Sequence, residues 1–227
     1  MCGRYFQKSS PETLSRYFDM AIRENFPARY NIAPTQPVGV VRATREGARE
    51  YALVRWGFVP SWAKEVGGKP LINARSETVA EKPAFRAAFK RRRCLVPADG
   101  FYEWLAVDKV KIPHAVRPRA GGPIAFAGVW ETWAGPDGSE LDAMAILTAP
   151  AGPDIEHLHH REPVVMAPEH FEPWLTLPET EGEAALDLVE TSHGGFWSPY
   201  EVGPDVGAVR NDHEGLVRPA ASQGDLF

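Results

Sequence analysis

A cysteine stands directly behind the initiator methionine, in MCGRYFQKSS. Methionine is usually trimmed when the second side chain is small. Trimming here would leave Cys2 with a free α-amine beside its thiol. Such an amine titrates near ~7.7–8.0 and a thiol near ~8.5, so both have reactive fractions at neutral pH. An aldehyde condenses with the amine to an imine, and the neighbouring thiol closes onto the imine carbon to give a five-membered thiazolidine. The second step is intramolecular and gains a large effective molarity. A cysteine inside a chain has no such amine. Position alone does not separate this chemistry from an incidental cysteine.

Three further stretches carry groups that move protons or bind. In LINARSET (71–78), Asn73, Arg75 and Glu77 follow an apolar pair. The pattern fits a strand end aiming polar side chains at a ligand, or a turn in which the Asn bonds its own backbone. In ADGFYEW (98–104), alternation places Phe101 and Glu103 on one face and Tyr102 and Trp104 on the other. A carboxylate among aromatics would be desolvated and its pKa raised toward the range useful for proton transfer, whereas an edge position would leave it in water. HLHHREP (157–163) holds three histidines. Its spacing matches no standard zinc pattern, and no Cys or carboxylate cluster accompanies it. The expectation is one histidine acting as acid or hydrogen-bond donor, with no metal and no cofactor. WGFVPSW (56–62) sets Trp56 and Trp62 close to Lys64 and Lys69, a combination suited to stacking on unpaired bases. Trp56 is expected to be buried and Trp62 exposed.

Charge is unevenly distributed along the 227 residues. Residues 1–100 carry 18 Lys and Arg against 9 Asp and Glu, a net +9; residues 101–227 carry 7 against 21, a net −14, together the −5 of the chain. A basic first half on an acidic chain points to one basic face meeting a polyanion. Arg4, Arg75 and the KRRR run at 90–93 are its candidate contacts. No run of apolar residues reaches the ~18 that span a membrane, and no basic-then-apolar signal pattern opens the chain. Two cysteines make no disulfide framework, so the cytoplasm is the expected compartment.

These groups need a frame. Helices are expected near 10–23, with Ser9 and Glu12 as a capping box, near 79–92, with Thr78 and Glu81 capping and Phe85 and Phe89 on one face, and as a pair within 168–190. Strands are expected at PVGVVRA, EYALVRWGF, RCLVPADGFYEW, GPIAFAGVWETW, LDAMAILTA and PVVMA. With 21 prolines spread through the chain, the reading is an α+β fold around a curved, mostly antiparallel sheet. One domain over 1–217 and a flexible tail over 218–227 are expected.

Taken together, these stretches resemble the SOS response-associated peptidase (SRAP) family. The resemblance rests on CGRY at 2–5, RYNIAP at 29–34, WGFVPSWAK at 56–64, INARSET at 72–78, CLVPADGFYEW at 94–104, LHHREP at 158–163 and VGAVRND at 206–212. It implies a distorted, mostly antiparallel β-barrel core flanked by helices, and a basic groove that takes single-stranded DNA containing abasic sites. By the same resemblance Cys2 would link covalently to the ring-opened sugar aldehyde. Asn73 would hold its amine, Glu103 would move protons and assist removal of Met1, and His159 would help open the sugar ring. Arg4 and Arg75 would contact phosphates and Trp62 would stack on a base. Glu162 and His160 depart from the family pattern. Two other readings stay open: a cysteine peptidase using Cys2 and His159, and a non-covalent single-strand binding module. The terminal QGDLF resembles the short motif that holds a sliding clamp, through Gln223, Leu226 and Phe227, with Gly224 where a Leu is usual. A monomer associated with the nucleoid is expected.

Overall fold

The computed structural model describes residues 2–189 and 192–220, with Glu183 described by its backbone alone. Twelve strands are described: β1 (Tyr5–Gln7), β2 (Arg29–Ile32), β3 (Pro37–Ala43), β4 (Arg49–Trp56), β5 (Asn73–Arg75), β6 (Arg93–Ala98), β7 (Gly100–Val107), β8 (Val110–Pro118), β9 (Ile124–Ala134), β10 (Glu140–Pro150), β11 (Arg161–Pro163) and β12 (Trp197–Glu201). The α-helices are short: α1 (Pro11–Tyr17), α2 (Arg86–Arg91) and α3 (Phe171–Thr176).

Five strands close on themselves in the order β10-β4-β3-β6-β9, with β9 returning to β10. Every pairing in this barrel is antiparallel except β4 with β10. Along one edge β10 receives β4 at Ala143–Met144 and then β5 at Ile146–Thr148; along the other it pairs with β9 up to Ile146 and then with β11 at Thr148–Pro150. A second, wholly antiparallel sheet runs β12-β8-β7-β1-β2. The fold is thus α+β with a distorted, mostly antiparallel barrel.

Alternation along the barrel strands divides the apolar residues between two cores. Val41, Leu95, Ala127 and Leu147 pack with the helices, against Leu14, Phe89 and Trp174. Val40, Val96, Phe126 and Ile146 pack with the second sheet, against Tyr5, Phe101 and Val116, and Cys2 lies in this core. Gly100 makes the approach of β1 to β7 possible. Its φ is +156°, and a Cβ there would lie 2.4 Å from both the Phe6 ring and the Val116 carbonyl.

The expected strands at PVGVVRA, EYALVRWGF, GPIAFAGVWETW and LDAMAILTA are present. RCLVPADGFYEW is two strands, parted at Asp99, whose carboxylate takes the Lys8 and Ser9 amides. PVVMA is not a strand: the amide of Val164 bonds to β10 at Leu147 and that of Met166 to β9 at Ala125, so no single ladder forms. The helices are shorter than expected. Ser10, not Ser9, caps α1 by accepting from the Thr13 amide at 3.2 Å, because the Ser9 hydroxyl donates to Asp99. Turns occupy the stretch before α2, where Pro83 lacks the N–H a helix interior needs. The 168–190 region gives a 3-10 turn, α3 and a second 3-10 stretch over Glu179–Leu188, punctuated by Pro173 and Pro178. The clamp-like residues Gln223, Leu226 and Phe227 lie outside the described residues.

Candidate active site

Strand β1 carries Cys2 into the interior. It lies between β2 and β7, with Tyr5 opposite Phe101 and the Tyr102 amide donating to the Arg4 carbonyl at 3.0 Å. Cys2 is fully buried. Its Sγ faces the Arg4 carbonyl at 3.8 Å, and Asn73 Nδ2 donates to the Cys2 carbonyl at 3.0 Å. Strand β5 fixes Asn73 by running parallel to β10, with Asn73 opposite Ile146. The Trp56 indole N–H steadies the approach to β5 by donating to the Ile72 carbonyl at 3.0 Å. Asn73 Oδ1 is buried with no hydrogen-bond partner among the described residues. It is an unspent acceptor on the side chain that holds the Cys2 carbonyl.

Glu103 reaches this site from β7, on the face of Phe101, and is 6% exposed. Burial pushes its carboxyl up from the ordinary range. Burial likewise pushes the Cys2 thiol up, and the nearby Glu103 charge adds to it.

His159 arrives from the turn segment before β11. Its Nδ1 lies 2.9 Å from the Arg161 amide, which can only donate. Nδ1 also lies 3.2 Å from the Arg161 carbonyl; when Nδ1 accepts from the closer amide, the neutral ring carries its proton on Nε2. Loss of hydration lowers the His159 pKa, which favours this neutral form. Its ring stacks on His160, with centroids 4.3 Å apart.

Arg161 joins the two arms of the site. Its guanidinium pairs through two nitrogens with Glu77, just beyond β5, and bonds to Thr148 on β10. Arg161 holds the Glu77 carboxyl down, to about 2. A carboxyl depressed in the folded state stabilises fully above its ordinary 4.5, and that contribution is lost as pH falls toward 2. Glu77→Gln should therefore flatten the loss of stability between these pH values, as read from urea midpoints across an acid series. The effect should be modest, because the Glu77 side chain is 44% exposed. Identical acid slopes in the two proteins would remove the pair from the stability account.

The remaining expected residues are placed differently from one another. Trp56 is buried and Trp62 is 68% exposed, in a loop that also exposes Val66 and Leu71. Arg75 is exposed, two positions after Asn73 on β5 and so on the same strand face. Arg4 is committed within the protein: its guanidinium donates to Asn31 Oδ1 at 2.7 Å and to the Val206 and Gly207 carbonyls at 2.9 and 3.1 Å. Asn31 Nδ2 bonds to carbonyls of the same late segment. This clasp was hidden in the sequence, although CGRY, RYNIAP and VGAVRND all stood out. Within KRRR, Arg93 is 2% exposed and bonds to four carbonyls, and Arg91 and Arg92 pair with the buried Glu131. Much of that run thus stabilises the fold. Glu162 is buried and accepts from the Gly152 and Ser192 amides, which accounts for its carboxylate without a ligand. Among the described residues no three His, Cys, Asp or Glu side chains converge as metal ligands, and no helix is long and apolar enough to cross a membrane.

Comparison with known proteins gives a consistent set of similarities. Residues 1–209 match the family model described as SOS response associated peptidase (SRAP). The chain is 34% identical over 225 residues to the abasic site processing protein YoaM of Bacillus subtilis, covering 96% of this chain and 97% of that protein. It is 33% identical over 223 residues to the abasic site processing protein YoqW of the same organism, covering 96% and 99%. A crystal structure of a protein from Bordetella bronchiseptica superposes with a TM-score of 0.78 at 26% identity, covering 89% of this chain and all of that one.

Proposed function

The chain belongs to the SOS response associated peptidase family, and from that premise we propose that it processes abasic sites in single-stranded DNA by covalent capture through Cys2. Removal of Met1 frees the α-amine. The amine adds to the C1 aldehyde of the ring-opened sugar, and the carbinolamine loses water to an imine. The thiol then adds: an S–C bond forms at the imine carbon and the thiol proton ends on nitrogen. The net change is one aldehyde and one amino-thiol to one thiazolidine and one water.

The observation that carries this reading is the setting of Cys2: Asn73 donates to its carbonyl, and β1 runs antiparallel to β7, the strand that carries Glu103. Glu103 moves the protons, first in carbinolamine dehydration and then from sulfur to nitrogen. Asn73 Oδ1 accepts from the freed amine and turns its lone pair toward the aldehyde. His159, neutral with its proton on Nε2, donates to the sugar oxygen as the ring opens. A peptidase reading needs a thiolate–imidazolium pair. Burial favours the thiol in Cys2 and the neutral ring in His159, which speaks for the aldehyde chemistry instead.

The test is a denaturing gel of the trimmed protein with abasic and intact single strands. A heat-stable adduct with the abasic strand alone is expected; no adduct with either overturns the reading. Cleavage of a protein in trans would favour the peptidase.

Binding should also weaken with salt, with a log–log slope of about −0.7 per phosphate neutralised on a single strand. Arg75, exposed beside Asn73, is the leading contact. Arg75→Glu should lower affinity and make the slope shallower by at least one such increment, read by fluorescence anisotropy from low to moderate salt. Unchanged affinity and slope would place the strand elsewhere.

A further inference from the structure

Strand β10 carries two arms of the site on opposite edges. β5, with Asn73 and Arg75, takes one edge at Ile146–Thr148, and β11, which follows His159 and His160, takes the other at Thr148–Pro150. The two pairings meet at Thr148, which is fully buried and lies opposite both Arg75 and Pro163. Arg161 stands opposite Pro150 on the β11 side, yet its guanidinium reaches across β10 to the far edge. On the way it donates to the Thr148 carbonyl and hydroxyl, and it ends on both carboxylate oxygens of Glu77. The Thr148 carbonyl also takes the Ser76 amide at 2.9 Å, so the chain leading to Glu77 is fixed at the same point. At its other end Arg161 has its amide 2.9 Å from His159 Nδ1. One residue thus has its main chain on the histidine ring and its side chain on the arm of Asn73.

We propose that Glu77 is a positioning residue: through Arg161 it sets where the His159 ring stands relative to Asn73, and so governs opening of the abasic sugar rather than the later capture by Cys2. This deepens the reading above and rests on it. Asn73 has its own supports, the pairing of β5 with β10 and the bond to the Cys2 carbonyl. His159 lies outside the strands, in the segment between β10 and β11, and its Nδ1 is held at the Arg161 main chain. Where Arg161 sits therefore decides where that ring sits. The guanidinium is a rigid planar fork, and the Glu77 carboxylate meets it with two parallel bonds, which fixes its plane as well as its place. The Glu77 side chain is largely open to water, so the pair adds little to stability. Placement of a reacting group acts far more steeply, since an error of about 1 Å can cost as much as ~10²-fold in rate. Loss of Glu77 should thus be felt in the rate much more than in the fold.

Two strands separate positioning of His159 from general damage: one with an abasic sugar, and one with a simple alkyl aldehyde in its place, which has no ring to open. Glu77→Gln keeps the shape of the side chain and loses the second bond and the charge. On the abasic strand its saturating crosslinking rate should fall about tenfold, with the half-saturating DNA concentration within about twofold of wild type. On the aldehyde strand it should keep the wild-type rate. Arg161→Lys keeps a charge but cannot pair through two parallel bonds, and it should reproduce this pattern. Thermal midpoints confirm that each variant folds. Equal losses on the two strands, or no loss on the abasic strand, overturn the proposal. Nitrogen-15 spectra of the His159 ring in DNA-free protein, assigned with His159→Asn, give a second readout in mildly alkaline buffer, where the ring is neutral. Wild type should show one protonated and one bare ring nitrogen, and in Glu77→Gln the two signals should move toward each other as the ring loses its fixed partner. Signals that stay in place in Glu77→Gln also overturn the proposal. If the wild-type protein forms no adduct, the reading of function fails, while the ring signals still decide whether Glu77 governs His159.

Discussion

Cys2→Ala is expected to form no heat-stable adduct with abasic single-stranded DNA, while the wild-type protein does. The variant loses the thiol that closes the ring, although trimming still leaves an amine. Its amine and that of Cys2→Ser can form only the imine, which heat and water reverse. Borohydride, which reduces an imine to a stable amine, should therefore restore a permanent adduct to both variants. Because Cys2 is fully buried in an apolar core, the fold of each variant is checked by its thermal midpoint. The Ala change removes one sulfur and leaves a small void, within the usual range for core truncations. An undiminished heat-stable adduct from Cys2→Ala, without reductant, would falsify the mechanism.

The second large effect is expected at Glu103. Glu103→Gln preserves volume in a side chain only 6% exposed and removes its ability to give and take a proton. Crosslinking should slow by roughly 10²–10⁴-fold, the usual worth of a positioned acid or base. Since burial raises the Glu103 pKa, the wild-type rate should fall as pH drops through that raised value, and the Gln variant should lose this limb. Quenched-flow or timed gel sampling across pH reads both quantities. A variant with the wild-type rate would assign proton transfer to another group. Mass spectrometry on the same preparation shows whether Met1 remains. Retention in the Gln variant would tie trimming to Glu103, and full trimming would assign it to a separate aminopeptidase.

The strongest sequence signals were those with a period. Runs such as PVGVVRA and LDAMAILTA are long, apolar and bounded by turns, and they form β3 and β10 at nearly the expected limits. The strand β5 was legible only as a polar stretch after an apolar pair. Three residues show no period, and it is a strand only because β10 offers it an edge. β8 and β12 contain Pro113, Pro118 and Pro199, which argue against a strand in isolation; pairing overrides that preference. The helix ends were misplaced where a tertiary partner competed for the cap, as Asp99 does for Ser9. For the site, residue type and alternation pointed to Glu103 and Asn73 separately. Their meeting at Cys2 depends on β1 entering between β2 and β7, a pairing between residues almost a hundred positions apart that no local pattern encodes. Arg4 shows the converse: a basic residue two positions after Cys2 is spent on carbonyls of the fold.

The grip of Arg4 on Val206 and Gly207 also sets a clock. The two ends of that contact are 202 residues apart in the chain. At about 5–20 residues per second, synthesis needs roughly ten to forty seconds to pass from one to the other. Through that interval the first strand of a nascent chain has nothing late in the sequence to close over it, and even its partner β7 is absent until residue 101 has emerged. The segment around Arg4 therefore lacks its late partners early in synthesis and gains them only near the end. The complete burial of Cys2 in the finished protein is no obstacle to removal of Met1, because trimming can precede burial. Under the proposed chemistry, a chain trimmed in that interval would meet small aldehydes with its amino-thiol uncovered, so prompt completion of the fold would protect the reagent as well as position it.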